Sequence, residues 1–194
     1  MTAADTRRRI LVIAADLFSR QGYTGTTIAD IARELGTTTA ALYYHFPSKA
    51  DILGGLLAEP LAAYTKIIAS LDSARPEAAD LLAAFVDLAV DSRELAAVID
   101  KDPTVLAMID ERLPRTSQQL TEQVIAVLAG PGADRSALIR AHAAMAVVKS
   151  ATMAALGLSG GTLDRAGRTE VLDLALSTLR APQEVSVPGH AGQE

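Results

Sequence analysis

The chain has 194 residues, about half of them hydrophobic, with no cysteine, no tryptophan and a formal net charge of −5. That length is enough to bury a substantial core in one or two domains. The absence of cysteine excludes disulfide frameworks, thiolate metal sites and cysteine nucleophiles, and it fits a reducing, cytoplasmic setting.

Charge is unevenly placed. Residues 1–50 hold six Lys/Arg against four acids, whereas residues 51–194 hold twelve against nineteen. An acidic body with a mildly basic N-terminal end suits a protein that meets a polyanion at one end only. The first thirty residues include Asp5, Arg7, Arg8, Arg9, Asp16 and Arg20, a pattern that predicts no secretory leader. The most apolar region, Ala141 to Leu163, is interrupted by Lys149, Gly157, Gly160 and Gly161, so no membrane span is expected.

An alanine-rich composition with few strand-like alternations predicts an all-α fold. Asp5 or Thr6 is placed to cap a first helix whose Ile10, Ile13, Ala14, Leu17 and Phe18 form one apolar face, ended by Gln21-Gly22. Thr27 with Asp30 makes a capping-box signature for a second helix, with Ile28, Ile31, Ala32 and Leu35 inward and Gly36 as its stop. Thr37 or Thr38 caps a third, two-turn helix that runs through Phe46 and is halted by Pro47. On it Ala41, Leu42 and Phe46 are expected to face inward, leaving Thr39, Ala40, Tyr43, Tyr44 and His45 outside. Three of the chain's seven aromatic residues lie in Leu42-Tyr43-Tyr44-His45-Phe46. Ser48 with Asp51 is a further capping box, starting a fourth helix at once.

Two short helices around a glycine turn form a helix-turn-helix, and a third helix this small fits the major groove of DNA. The runs Thr26-Thr27-Ile28-Ala29-Asp30-Ile31-Ala32-Arg33-Glu34-Leu35-Gly36, Leu42-Tyr43-Tyr44-His45-Phe46 and Lys49-Ala50-Asp51-Ile52-Leu53 resemble the N-terminal signature of the tetracycline-repressor (TetR) family. The resemblance covers about residues 8–55; the rest of the chain matches only in length, helicity and acidity. It implies a homodimeric, ligand-responsive transcriptional regulator, most simply a repressor, that binds a palindromic operator in double-stranded DNA. It also implies that Thr38 to His45 is the recognition helix. Thr27, Tyr43, His45 and Lys49 would contact phosphates, while Thr39, Ala40 and Tyr44 lie nearest the bases. With no Arg, Gln or Asn on that helix, base reading would rest on hydroxyls, methyl contacts and DNA shape. Arg7-Arg8-Arg9 reads either as a solvated tail or as a basic arm along the DNA backbone.

Helical patterning continues to residue 181. The fourth helix should run from Ser48 to about Ser70, kinked or split by Pro60. A fifth begins at Pro76-Glu77, and short helices follow over Ser92–Asp100 and Pro103–Leu113, the latter capped by Asp102. Thr116–Ala129, Asp134–Leu156 and Arg165–Leu179 complete the set. The domain reading is residues 1–50 as the helix-turn-helix head, 51–181 as an effector-binding and dimerisation body, and 182–194 as a disordered tail. The last two long helices are the expected dimer interface, through Ala141, Ala144, Met145, Val148, Thr152 and Ala155 and the leucine-rich last helix, paired as a four-helix bundle. Tyr64, Phe85, Met108, His142 and Met145 are candidates for an effector pocket suited to an apolar or amphipathic small molecule.

No metal, cofactor or catalytic residue is expected. His45, His142 and His190 lack metal-ligand spacing. Gly157-Leu158-Ser159-Gly160-Gly161 matches a nucleophile elbow by letter, but an alanine-rich helix precedes it where the chemistry needs a strand. The alternative function is a helical protein–protein adaptor whose helix-turn-helix no longer binds DNA.

Overall fold

The computed structural model describes residues 2–73 and 76–180, and the tail expected over 182–194 lies outside the described residues. Among the described residues the chain forms ten helices and no strand. They are α1 (Ala3–Gln21), α2 (Ile28–Leu35), α3 (Thr39–His45), α4 (Lys49–Ser73), α5 (Ala78–Asp91), α6 (Arg93–Lys101), α7 (Thr104–Asp110), α8 (Ser117–Ala129), α9 (Arg135–Leu158) and α10 (Arg165–Leu179).

Local chemistry sets most of these boundaries. Thr27 Oγ1 accepts from the Asp30 amide while the Asp30 carboxylate accepts from the Thr27 amide, the reciprocal bonds that satisfy two orphan donors of α2. At the other end Gly36 takes the left-handed conformation at φ +72°, and the Thr37 amide reaches back to the Ala32 carbonyl. An L side chain at Gly36 would be strained there, so the turn of the helix-turn-helix depends on glycine. Asp134 and Asp164 cap α9 and α10, each accepting from the amide three residues on. At the start of the chain the cap is Thr2 rather than Asp5 or Thr6; Asp5 is instead the acidic partner in Thr2's capping box, so the helix begins about a turn earlier. At α7 the helix stops at Asp110, short of Leu113.

The buried side chains form two cores. The first gathers Ile10, Phe18, Ile31, Leu42 and Phe46 of α1–α3 with Leu53 and Leu57 of α4 and with Val98, Val105 and Ile109 of α6 and α7. The head is therefore sealed by residues far beyond position 50. The second core packs Ile67 and Ile68 of α4 against α5, α8, α9 and α10. α4 enters both, and it remains one helix through Pro60 rather than splitting there. Proline's missing amide leaves the Leu56 carbonyl without its helical donor, but burial on both sides of that point holds the helix together. By length and composition alone α4 and α9 are apolar enough to cross a membrane. Here their apolar residues supply the two cores.

α9 corrects the expected dimer face. Ala141, Ala144, Val148 and Thr152 are buried within the subunit and Met145 and Ala155 are partly buried in the same core, so this small-residue face is the intramolecular one. Ile139, Ala146, Ser150, Ala154 and Gly157, spaced by seven, four, four and three residues, lie on a different face and are exposed, as is Leu174 of α10. The glycines after α9 form its stop. Gly160 is left-handed at φ +66° and the Gly161 amide bonds to the Leu156 carbonyl, so Ser159 sits at a helix C-cap with no strand before it.

A buried carboxylate ties the two regions. Asp102, between α6 and α7, accepts from the Thr24 amide of the α1–α2 turn at 2.7 Å and from the Thr104 amide and hydroxyl at 3.2 and 2.5 Å. The Thr104 hydroxyl, followed by the Thr24 amide, holds the Asp102 carboxyl well below the usual carboxylate range. Asp102→Ala is expected to cost about 1–3 kcal/mol of unfolding free energy in urea, because it strands two part-buried amides that the carboxylate satisfies. Since the folded pKa is depressed, this contribution is full above about pH 4 and is lost as pH falls further. The variant should therefore lose less stability than the parent on acidification below pH 4. Equal stability of the two proteins at pH 7 would contradict the clamp.

Candidate nucleic-acid interface and effector cavity

α3 is fastened from behind and bare in front. Leu42 and Phe46 are fully buried, anchoring it to α1, α2 and α4. Thr38 Oγ1 accepts from the Ala41 amide and closes its N-terminus. Its C-terminus is closed by a residue from another helix: Arg7 of α1 donates to the His45 carbonyl at 2.9 Å and lies 4.0 Å over the Phe46 ring. A cation at a helix C-terminus satisfies an orphan carbonyl and complements the macrodipole. Arg7 is thus neither tail nor free arm.

The outer face carries Thr39, Ala40, Tyr43 and Tyr44, all exposed, Tyr43 by 49% and Tyr44 by 84%. Ala41, expected to face inward, is exposed as well, because the two-turn helix is held only through Leu42 and Phe46. The His45 ring meets the Tyr44 ring edge-on at 5.3 Å. No acidic residue occurs between Glu34 and Asp51, so nothing on this face repels a phosphate. Its small residues admit a backbone, and its hydroxyls and rings offer donors to phosphates or bases.

Two candidate phosphate ligands have prior engagements. The Thr27 hydroxyl donates to Asp30 at 2.6 Å. Asp30 also holds Arg33, and the bonds from Thr27, side chain before backbone, bring the Asp30 carboxyl down to about 2. Lys49 donates to the Tyr23 and Thr26 carbonyls at 2.8 and 2.9 Å and lies 4.4 Å over the Tyr23 ring. Two of its three hydrogens thus brace the α1–α2 turn, leaving one for a phosphate.

In the body, α4 to α9 line a partly open cavity of about 440 Å³. Tyr64, Phe85 and Met145 line it. Met108 and His142 do not. On α7 the cavity is met by Leu106 and Ile109, three apart on one face, so Met108 turns toward the first core. His142, one turn before Met145, stays exposed beyond the cavity. Burial pushes the Tyr64 phenol up, with Ser117 hydrogen-bonded beside it. Missed by sequence reasoning were Ser92 at the α5–α6 junction, Lys149 of α9, and Leu95 and Ile99 of α6. The α6 pair obeys ordinary i, i+4 spacing, but nothing local marks it as cavity wall rather than core.

This combination defines a class: a helix-turn-helix head packed on an all-helical body that contains a ligand-sized cavity. Residues 10–56 match the family model described as "Bacterial regulatory proteins, tetR family". The chain is 33% identical over 120 residues to the HTH-type transcriptional repressor KstR2 of Rhodococcus jostii (strain RHA1), a match covering 60% of this chain and 58% of that protein. It is 44% identical over 50 residues to the HTH-type transcriptional regulator AcrR of Shigella flexneri, covering 26% and 23% of the two chains. These matches stop short of the relatives' full length. The crystal structure of Mycobacterium smegmatis AmtR superposes with a TM-score of 0.66 at 25% identity, over 92% of this chain and 86% of that one. A putative transcriptional regulator from Saccharomonospora viridis, in complex with choline, does so at 0.50 and 26%, over 90% and 95%. The N-terminal head thus matches the TetR family model, and the fold of the described chain is shared with the AmtR structure.

The two exposed or braced residues separate binding from folding. Tyr44→Ala should weaken binding to a selected DNA site by about 1–3 kcal/mol and leave the melting temperature unchanged. Lys49→Ala should weaken all DNA sequences alike and also lower the melting temperature. Anisotropy titration and calorimetry of both variants check this, and an unaltered melting temperature for Lys49→Ala would remove its bracing role.

Proposed function

We propose that the protein is a homodimeric transcriptional regulator, most simply a repressor, whose α3 enters the major groove of a palindromic operator and whose cavity takes a small apolar or amphipathic effector. The observation that carries this is the acid-free outer face of α3, with Tyr44 84% exposed on a helix pinned at both ends. A tyrosine this exposed on a helix held this firmly suits contact with a partner molecule. The kinship with proteins named as transcriptional repressors and regulators supports the same reading.

In this account residues 1–50 act as the DNA-binding head, 51–181 as the effector and dimerisation body, and the protein works in the cytoplasm. Thr39, Ala40 and Tyr44 approach the base edges from a helix that begins at the DNA with Thr38; Tyr43, His45 and the remaining Lys49 hydrogen hold phosphates, with Thr27 at the start of α2 close to the backbone. The exposed faces of α9 and α10 pair two subunits into a four-helix bundle. Two recognition helices then lie about 34–36 Å apart, one turn of DNA, or a multiple of it. An effector acts by favouring a cavity shape that fits the DNA-bound spacing less well.

Two measurements test the reading. Binding to a DNA site selected from a random pool should show two subunits per site and weaken with salt, with a log–log slope of about −4 or steeper, as at least four or five phosphate contacts require. A flat salt dependence would point to the adaptor alternative. Ile139→Arg should give monomers by light scattering and weaken DNA binding at least tenfold. A dimeric variant would move the interface elsewhere.

A further inference from the structure

The cavity's polar groups are few and all of one kind where they are free. Ser92 is the residue before α6, a position where serine ordinarily accepts from an amide of the helix's first turn. Here it makes no such bond, and its Oγ is buried without any hydrogen-bond partner while lining the cavity. A buried hydroxyl left unpaired is costly and uncommon, and a ligand oxygen would repair it. Lys149 is the cavity's single charged lining residue, and no Asp or Glu lines the wall. The other hydroxyls have partners: Thr121 donates to the Ser117 carbonyl and Ser117 to Asp110, at 2.8 and 2.6 Å, and the Tyr64 hydroxyl is hydrogen-bonded to Ser117. The remaining wall is hydrocarbon and aromatic, from Leu61, Phe85, Leu106 and Met145 among others.

We infer that the effector is an amphipathic monoanion: an apolar body carrying one carboxylate or similar acidic head, which Lys149 and the Ser92 hydroxyl receive. This rests on the effector reading above and specifies its chemistry. The cavity volume of about 440 Å³ is within the ~300–1,000 Å³ that ligand sites span. An apolar wall supplies affinity through burial, and the two donors select the charge. A cationic ligand such as choline meets no carboxylate here, only the ammonium of Lys149, so the charge preference is opposite.

The test uses three probes of equal chain length, below their micellisation ranges: dodecanoate, dodecanol and dodecyltrimethylammonium. Calorimetric titration of the full chain should show dodecanoate binding at least tenfold tighter than the alcohol or the cation. Lys149→Met should abolish that preference while leaving dodecanol affinity unchanged, and Lys149→Arg should retain it. Lys149 is exposed, so neither substitution threatens the fold. Ser92→Ala should weaken dodecanoate severalfold more than the cation. Equal binding of the three probes, or an undiminished preference in Lys149→Met, overturns the inference. If the alcohol or cation binds equally and still releases DNA, the effector reading stands and only the monoanion fails. If no amphiphile of any charge binds, both fall.

Discussion

The arrangement depends on one helix being buried at both ends in different places. Leu53 and Leu57 of α4 are sealed into the core that holds α3, and Ile67 and Ile68, further along, are sealed into the core of the body. Close-packed interiors do not deform smoothly, so a displacement of α4 in one core is felt in the other. Between the two anchor points the helix passes Pro60, Leu61 and Tyr64, and these three are cavity wall. The stretch of α4 with the weakest internal hydrogen bonding is thus the stretch a ligand would touch.

A second link runs in parallel. α6 and α7 present Leu95, Ile99 and Leu106 to the cavity while Val98 and Val105 close the head core, and Asp102 between them holds the α1–α2 turn through Thr24. Ile109 belongs to both environments. Head and body are therefore separate in sequence but joined by shared walls. In the proposed mechanism an effector needs only a modest difference in affinity between two placements of these walls to alter DNA binding, about 1.4 kcal/mol for each factor of ten.

What the sequence revealed was what neighbours within four residues decide. Thr27 with Asp30 and Ser48 with Asp51 marked helix starts that the structure repeats. The two-faced pattern of α3 was legible because Leu42 and Phe46 share a helical face. Hidden were contacts between distant segments: Arg7 with the His45 carbonyl, Lys49 with the Tyr23 and Thr26 carbonyls, Asp102 with the Thr24 amide. Each uses a side chain that reads as ordinary surface charge until its partner is known. The small-residue face of α9 misled for a related reason. Alanines at helical spacing permit close packing, but spacing does not say whether the neighbour is in the same chain or another. Met108 and His142 failed as cavity residues because residue type was used where helix phase and axial position decide.

The claim that a filled cavity moves the heads is open to a direct measurement that needs no knowledge of the effector. The chain lacks cysteine, so a single exposed Thr37→Cys takes one nitroxide per subunit, and pulsed electron resonance then reads the head-to-head distance in the proposed dimer. Ala89 lines the cavity, and Ala89→Trp would occupy part of it permanently. The account predicts that this substitution shifts the inter-label distance by several ångströms (roughly the scale of a helix shift in known switches) in protein that remains folded and dimeric. Identical distance distributions with the cavity empty and filled would contradict it.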